Sequence, residues 1–263
     1  MRYKGIFIDV DGTLLNDNLQ ITEETKDIIR KLNREHVLIV LVTARAPSSS
    51  LPYYNELGIT HNPLICFNGA LIIRNGTILY EEVLQNEDCH RILTEAEDFN
   101  MNISFYHQFD WFTEKIDDWI NQEMEITNTK IKQRKLMELL ESNFHLNKIL
   151  CMGNPEEITL FEHHLHTIGF SNSNIHQSKP TYLEIVDKNT SKAHGIKTLI
   201  DMHNIHEKDI IAIGDNFNDI EMLKMAGTSI AMGNAPEEVK KYATIVTDTN
   251  NREGIKKALE LLF

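Results

Sequence analysis

Asp9 and Asp11 stand two residues apart, directly after the apolar run Gly5-Ile6-Phe7-Ile8 and directly before Gly12. Such a run, rich in β-branched residues, predicts a buried strand that delivers Asp9 at its carboxyl end. In open parallel sheets ligands bind at that end. With extended backbone at Asp11, both carboxylates point to one side, and Gly12 lets the chain turn away. Two clustered carboxylates can hold a hard cation such as Mg²⁺. One of them can also attack phosphorus, as in the aspartyl-phosphate ATPases. On this stretch alone, Asp-Gly as an ordinary turn competes with that reading. An EF-hand loop does not, because it needs glycine at the sixth position and Glu at the twelfth. Here the glycine is fourth and the twelfth residue is Gln20.

Phosphate chemistry also needs hydroxyl and N–H donors for the non-bridging oxygens, and a fixed cation. The ends of further apolar runs offer such groups. His36–Val42 leads into Thr43-Ala44-Arg45, Leu64–Phe67 into Asn68-Gly69, and Ile210–Ile213 into Gly214-Asp215, with Asn218 and Asp219 following. In a parallel sheet these ends share one edge. Lys192 opens a predicted helix, where an ammonium opposes the helix dipole. Local structure gives no reason for a lysine there, so it is the candidate cation.

The segments between these residues supply the scaffold. Ile21–Glu35 reads as a helix, with Thr22 as its cap, Glu23 and Glu24 at the favourable dipole end, and Ile28, Ile29 and Leu32 on the buried face. Pro47 suits the first turn of a second helix, to about Leu57. Ala70–Tyr80 reads as a hairpin turning through Asn75-Gly76. This β-α-β-α-β alternation predicts a parallel sheet with helices on both faces. From about Val83 it gives way to short mixed elements. They are a helix Gln85–Asn100, a strand Ile103–His107, an irregular stretch with Trp111 and Trp119, and a helix Met137–Phe144. A strand Lys148–Met152, a helix Pro155–Ile168 and a strand Tyr182–Val186 follow. Alternation resumes at Lys192, with strands Ile210–Ile213, Ser229–Ala231 and Ile245–Val246 among helices. The expected division is an α/β core, residues 1–82 and 188–263, interrupted by an α+β domain, residues 83–187.

A chain of 263 residues has room for two domains. Its 39 acidic and 26 basic residues give a net charge of −13, which argues against nucleic acid or an anionic membrane as partner. A phosphorylated ligand must therefore be received by local positive groups and a metal. No apolar run is long enough to span a bilayer, and the N-terminus shows no leader pattern. Cys66, Cys89 and Cys151 are far apart and lie in apolar or helical segments, as expected of buried thiols in a reducing cytoplasm. The basic cluster Lys130–Lys135 reads as a solvated helix start or loop. His163, His164 and His166 read as exposed or half-buried, with no acidic or cysteine partner indicated nearby. There is no dinucleotide fingerprint and no P-loop.

Taken in order, Asp9-Val10-Asp11-Gly12-Thr13-Leu14, Leu41-Val42-Thr43-Ala44-Arg45, Lys192 and Gly214–Leu223 resemble the four motifs of the haloacid-dehalogenase superfamily. Ile65–Ala70 and Ala226–Ala235 resemble stretches typical of its Cof-type phosphatases, subclass IIB. The resemblance covers nearly all the core. It implies a Rossmann-like parallel-sheet core with an inserted α+β cap domain of C2 type. The implied activity is Mg²⁺-dependent hydrolysis of small phosphorylated metabolites, such as sugar phosphates or pyridoxal phosphate, through an aspartyl-phosphate. Asp9 would be the nucleophile and a Mg²⁺ ligand. Asp11 would be the general acid, then the base, with its main-chain carbonyl on Mg²⁺. Asp215 would be the third ligand. Thr43, the N–H groups of Val10 and Ala44, Lys192 and Asn218 would hold the phosphate, and Asp219 would orient Lys192 or a metal-bound water from behind.

In that scheme Asp11 carries a proton at neutral pH, which a neighbouring carboxylate and partial burial would promote. Two positions depart from the family pattern. Ala44 stands where glycine is common and keeps the N–H donor. Ala193 stands where glycine usually follows the lysine, which leaves the tightness of that helix start open. Rival readings are a phosphomutase of the same subclass, which needs several cationic side chains in the inserted domain, and a phosphometabolite-binding sensor without turnover. The Asp9–Asp11 pair argues against the sensor. Dehalogenation is disfavoured, because those relatives lack the acid at the Asp11 position. Tyr106, His107, Trp111 and Trp119 could touch substrate or form the core of the insertion.

Overall fold

Ile6, Phe7 and Ile8 are wholly inaccessible on both faces of their strand, which places Gly5–Asp9 (β1) inside a sheet. The computed structural model describes residues 3–142 and 144–263. The strands after β1 are Leu38–Val42 (β2), Leu64–Cys66 (β3), Leu71–Arg74 (β4) and Thr77–Glu81 (β5). Six more follow: Met101–His107 (β6), Asp110–Thr113 (β7), Lys132–Gln133 (β8), Lys148–Gly153 (β9), Ser173–Lys179 (β10) and Tyr182–Asp187 (β11). The last three are Ile210–Gly214 (β12), Thr228–Ala231 (β13) and Ile245–Val246 (β14).

Two sheets result. The first has the order β14-β13-β12-β1-β2-β3-β4-β5, and the second β10-β11-β9-β6-β7-β8. In the first, β1 runs parallel to both β12 and β2, with Ile8 opposite Ile213 and Leu41, and Asp9 opposite Val42. That register alone carries Asp9, Thr43 and Asp215 to one edge. The β3–β4 pair is antiparallel, and β4 turns into β5 through Asn75 and Gly76, both at positive φ (50° and 74°). Such a pair matches the twist of a hairpin. Glu23–Arg34 (α1) starts at Thr22, whose hydroxyl accepts from the Thr25 N–H. Pro47–Leu57 (α2) follows β2.

The chain divides into two compact units, one of Met1–Arg45, Ser50–Tyr80 and Ser191–Phe263, the other of Ala46–Ser49 and Glu81–Thr190. In the second, helices Asn86–Glu95 (α3), Asp118–Thr127 (α4), Leu136–Glu141 (α5) and Pro155–Ile168 (α6) accompany the six-stranded sheet. Phe105, Ile149, Cys151, Leu183 and Ile185 form one apolar cluster with Ile92 of α3, Leu140 of α5 and Phe161 and Leu165 of α6. Side chains alternate across the sheet, so Tyr106 faces the other way. It stacks on its cross-strand partner Trp111, ring centroids 5.6 Å apart. Trp119 and His107 are half-buried. The three cysteines are free and buried, and burial raises their thiol pKa values.

Three elements of this unit differ from expectation. The expected helix to Asn100 stops its α-helical part at Glu95, because Met101 already pairs with Gly153. The irregular stretch contains β7 and α4, the latter capped by the Asp117 carboxylate, which accepts from the Ile120 N–H at 3.1 Å. Lys132 and Gln133, both exposed, form the edge strand β8, while Lys135, the last residue of the basic cluster, is the N-cap of α5. Asn143, within the expected helix Met137–Phe144, lies outside the described residues.

Lys192–Met202 (α7), Ile220–Met225 (α8), Glu237–Lys240 (α9) and Gly254–Leu262 (α10) complete the first unit. The start of α7 packs hard against the turn after β3, but through Gly195 and Gly69, not through residue 193. A Cβ at Gly195 would lie 2.8 Å from Gly69 Cα and 2.9 Å from Ile65 Cγ2. Backbone cannot yield at that distance. Gly195→Ala should therefore cost about 1–3 kcal/mol by overpacking. The check is equilibrium urea denaturation, with a lower midpoint and an unchanged slope expected.

Candidate active site

β1 ends at Asp9, which is 5 % exposed. The backbone stays extended at Asp11 (φ −80°, ψ 122°) and turns at Gly12 (φ 77°). A side chain at Gly12 would overlap the Asp215 carboxylate as well as strain the backbone. The turn closes with the Leu15 N–H on the Val10 carbonyl, 3.0 Å, and leaves the buried Thr13 hydroxyl donating to Asp215 Oδ1 at 2.7 Å. Asp215 follows β12, the strand beside β1, and so reaches the same edge.

Lys192 is the centre of the cluster. Its side chain is 2 % exposed, and Nζ donates to Asp9 Oδ1 at 2.5 Å and to Asp219 Oδ1 at 2.6 Å. Ser191 caps α7 by accepting from the His194 N–H, which fixes the helix start that carries the lysine. Asp219 is fully buried, and its Oδ2 accepts the N–H groups of Asp215 and Asn216, both at 2.8 Å. Burial on its own would lower the Lys192 pKa, but Asp219 and Asp9 outweigh it and raise it. The ammonium therefore stays charged, against the helix dipole, because two buried carboxylates demand it.

The carboxyls carry the opposite strain. Burial pushes Asp9 well up, and the charges of Asp219 and Asp215 add to this while Lys192 opposes it. Burial also pushes Asp215 up to about 6, against the hydrogen bond from Thr13. Oxygens of Asp9, Asp215 and Asp219 lie within 4.8 Å of one another. Asp219 already serves Lys192 and two N–H groups, which leaves Asp9 and Asp215 as side-chain donors for a cation. Three carboxylates, Asp9, Asp215 and Asp219, share one ammonium, Lys192. The excess is two negative charges, and all the donors are oxygen. That set fits a hard divalent ion.

Thr43 is buried just beyond β2, and its hydroxyl accepts from the Arg45 N–H at 3.1 Å. Ala44 lies between them and Val10 directly after Asp9. The Asn68 N–H donates to the Thr43 carbonyl at 2.9 Å, and the Asn68 side-chain oxygen accepts from Asn218 Nδ2 at 3.1 Å. These contacts tie Asn218 to the turn after β3.

Asp11 departs from expectation. Its side chain is 52 % exposed, and its neighbour is a guanidinium, not a carboxylate: Arg45 Nε donates to Oδ2 at 2.8 Å and Nη2 to Oδ1 at 2.6 Å. The Arg45 fork, and not a cluster shared with Asp9 and Asp215, holds the Asp11 carboxylate. Sequence reasoning gave no role to Arg45, Thr13 or Asn234. All three sat inside recognised stretches, Asn234 in Ala226–Ala235. Asn234 Nδ2 donates to the Gly12 carbonyl at 2.8 Å and lies 3.4 Å from Asp215 Oδ2, and no local pattern announces that. Among the three histidines of α6, His164 does have an acidic partner, Glu95, at 2.6 Å.

Residues 6–259 match the family model of haloacid dehalogenase-like hydrolases. A protein of Haemophilus influenzae, whose name carries the word phosphatase and no substrate, is 34 % identical over 266 residues, covering 100 % of this chain and 99 % of its own. The 5-amino-6-(5-phospho-D-ribitylamino)uracil phosphatase YcsE of Bacillus subtilis is 30 % identical, covering 97 % of this chain and 94 % of its own. Among solved structures, TM0651 of Thermotoga maritima superposes with a TM-score of 0.91 at 31 % identity, over 98 % of this chain and 97 % of that one. The motif order, the α/β fold, and the matched family model and relatives agree: the chain belongs to the haloacid dehalogenase superfamily, in its Cof-type branch.

Proposed function

We propose that the protein is a Mg²⁺-dependent phosphatase that hydrolyses small phosphorylated metabolites through a phosphoryl group carried on Asp9. The observation that carries this reading is the buried Lys192 bridging Asp9 and Asp219, beside Asp215. It sets a carboxylate, a fixed cation and an excess of oxygen donors at one strand edge. The same edge carries Thr43 and the start of α7. Two relatives named as ribitylaminouracil phosphatases favour a phosphorylated sugar or polyol as the substrate class.

Asp9 and Asp215 side chains, with the Asp11 carbonyl, would hold the ion. Once bound, the ion would neutralise the excess negative charge and polarise the phosphoryl oxygens. Lys192, Thr43, Asn218 and the N–H groups of Val10 and Ala44 receive the remaining charge of the phosphate. An Asp9 carboxylate oxygen attacks phosphorus. The bond from phosphorus to the ester oxygen breaks, its electron pair stays on that oxygen, and Asp11 supplies the proton that makes an alcohol. Asp11, now a carboxylate, takes a proton from water as the water oxygen attacks the same phosphorus. Phosphate leaves, and Asp9 and the protonated Asp11 are regenerated. Lys192 holds Asp9 oriented throughout, and Asp219 holds Lys192.

Four outcomes are expected. Excess chelator should abolish phosphate release from a panel of phosphomonoesters, and Mg²⁺ should restore it. Asp215→Asn should weaken Mn²⁺ binding, read directly by electron paramagnetic resonance. Full turnover in excess chelator would contradict the metal assignment. Asp9→Asn should form no phosphoenzyme. Asp11→Asn should slow phosphoenzyme formation by roughly 10²–10⁴-fold with a sugar phosphate, and far less with p-nitrophenyl phosphate, whose leaving group needs no proton. Rapid-quench kinetics separate the two steps, and an equal loss with both substrates would remove the acid role from Asp11.

A further inference from the structure

The Asp11–Arg45 fork is unequal. Asp11, on the turn after β1, is half exposed, whereas the Arg45 side chain is 10 % exposed. Arg45 is held at its backbone and at its guanidinium. Its N–H donates to Thr43 Oγ1 at 3.1 Å, its carbonyl accepts from the Phe67 N–H at 3.1 Å, and its guanidinium lies over the Tyr53 ring, 5.5 Å from the centroid. The carboxylate is thus the movable partner and the guanidinium the anchored one. A bidentate fork fixes a carboxylate in direction as well as in place, which a lysine ammonium cannot do. Both Asp11 oxygens accept from the fork, so one of the two bonds must open before that oxygen, which solvent can reach, takes a proton from water and passes it to an ester oxygen. Opening one bond leaves the other oxygen held, and the carboxyl then pivots about a fixed point.

We propose that Arg45 is the positioning residue for Asp11: it aims the acid, releases one oxygen to the leaving group, and keeps the other. The proposal rests on the acid role given above to Asp11. Arg45 then acts through Asp11 and adds nothing to the attack by Asp9. Loss of Arg45 therefore carries the signature of a lost acid, not that of a lost phosphate contact.

The test is a double-mutant cycle of Arg45→Ala and Asp11→Asn, with rapid-quench measurement of phosphoenzyme formation on a sugar phosphate and on p-nitrophenyl phosphate. Arg45→Lys, which keeps charge and stem but not the fork, guards against a folding defect, and circular dichroism of every variant checks it. Arg45→Ala is expected to slow the sugar phosphate at least 10-fold more than p-nitrophenyl phosphate. Arg45→Lys should recover part of that loss. In the Asp11→Asn background Arg45→Ala should cost little more, because groups that act as a unit are not additive. A loss from Arg45→Ala that is equal for the two substrates and additive with Asp11→Asn would overturn the inference and make Arg45 a phosphate contact, with the acid role of Asp11 left standing. An Asp11→Asn loss that is itself independent of the leaving group would overturn the acid role and this inference together.

Discussion

A buried ammonium between two buried carboxylates is the constraint on which the site depends. Loss of Lys192 would leave Asp9 and Asp219 as unpaired charges in the interior, and removing one side of a buried ion pair typically costs about 3–5 kcal/mol. Yet one ammonium cannot satisfy Asp9, Asp219 and Asp215 at once. Burial, with the neighbouring carboxylates adding to it, raises the pKa values of Asp9 and Asp215. The protein holds an electrostatic deficit at this edge, and its sign and oxygen donors specify what completes it. A site built only for stability would have matched its charges or avoided them.

The rest of the core serves that cluster. The parallel register of β12, β1 and β2 sets Asp9, Thr43 and Asp215 on one edge. Gly12 allows the turn to bring its backbone against the Asp215 carboxylate, and Thr13 and Asn234 hold that carboxylate from two directions. Gly69 and Gly195 let α7 approach the sheet, and Ser191 fixes its first turn, so Lys192 enters at one angle only. Partners of this kind, behind the groups that touch a ligand, keep donor geometry from drifting.

Much of this was legible in local sequence. Apolar runs ending in Asp9, Thr43 and Asp215 announce strands and the polar edge at once, because burial on both faces demands unbroken hydrophobicity. Lys192 was legible by conflict with the helix dipole, and the structure supplies the missing reason in Asp9 and Asp219. What escaped depends on contacts distant in sequence. Asn234 reaches Gly12 across 222 positions, and the reach of Arg45 to Asp11 across 34 positions overrode the burial expected for the acid. In the second unit, Ser173–Lys179 is a polar edge strand with no apolar alternation to mark it, and α4 depends on one aspartate cap.

The most direct test of the account is to find the atom that carries the phosphoryl group. Asp11→Asn, incubated with Mg²⁺ and p-nitrophenyl phosphate, then acid-quenched within one turnover and digested, would be read by tandem mass spectrometry. The account requires one phosphoryl group per chain, on the Asp9 carboxylate. Phosphate on any other residue, or a burst of p-nitrophenol with no phosphorylated peptide, would contradict it.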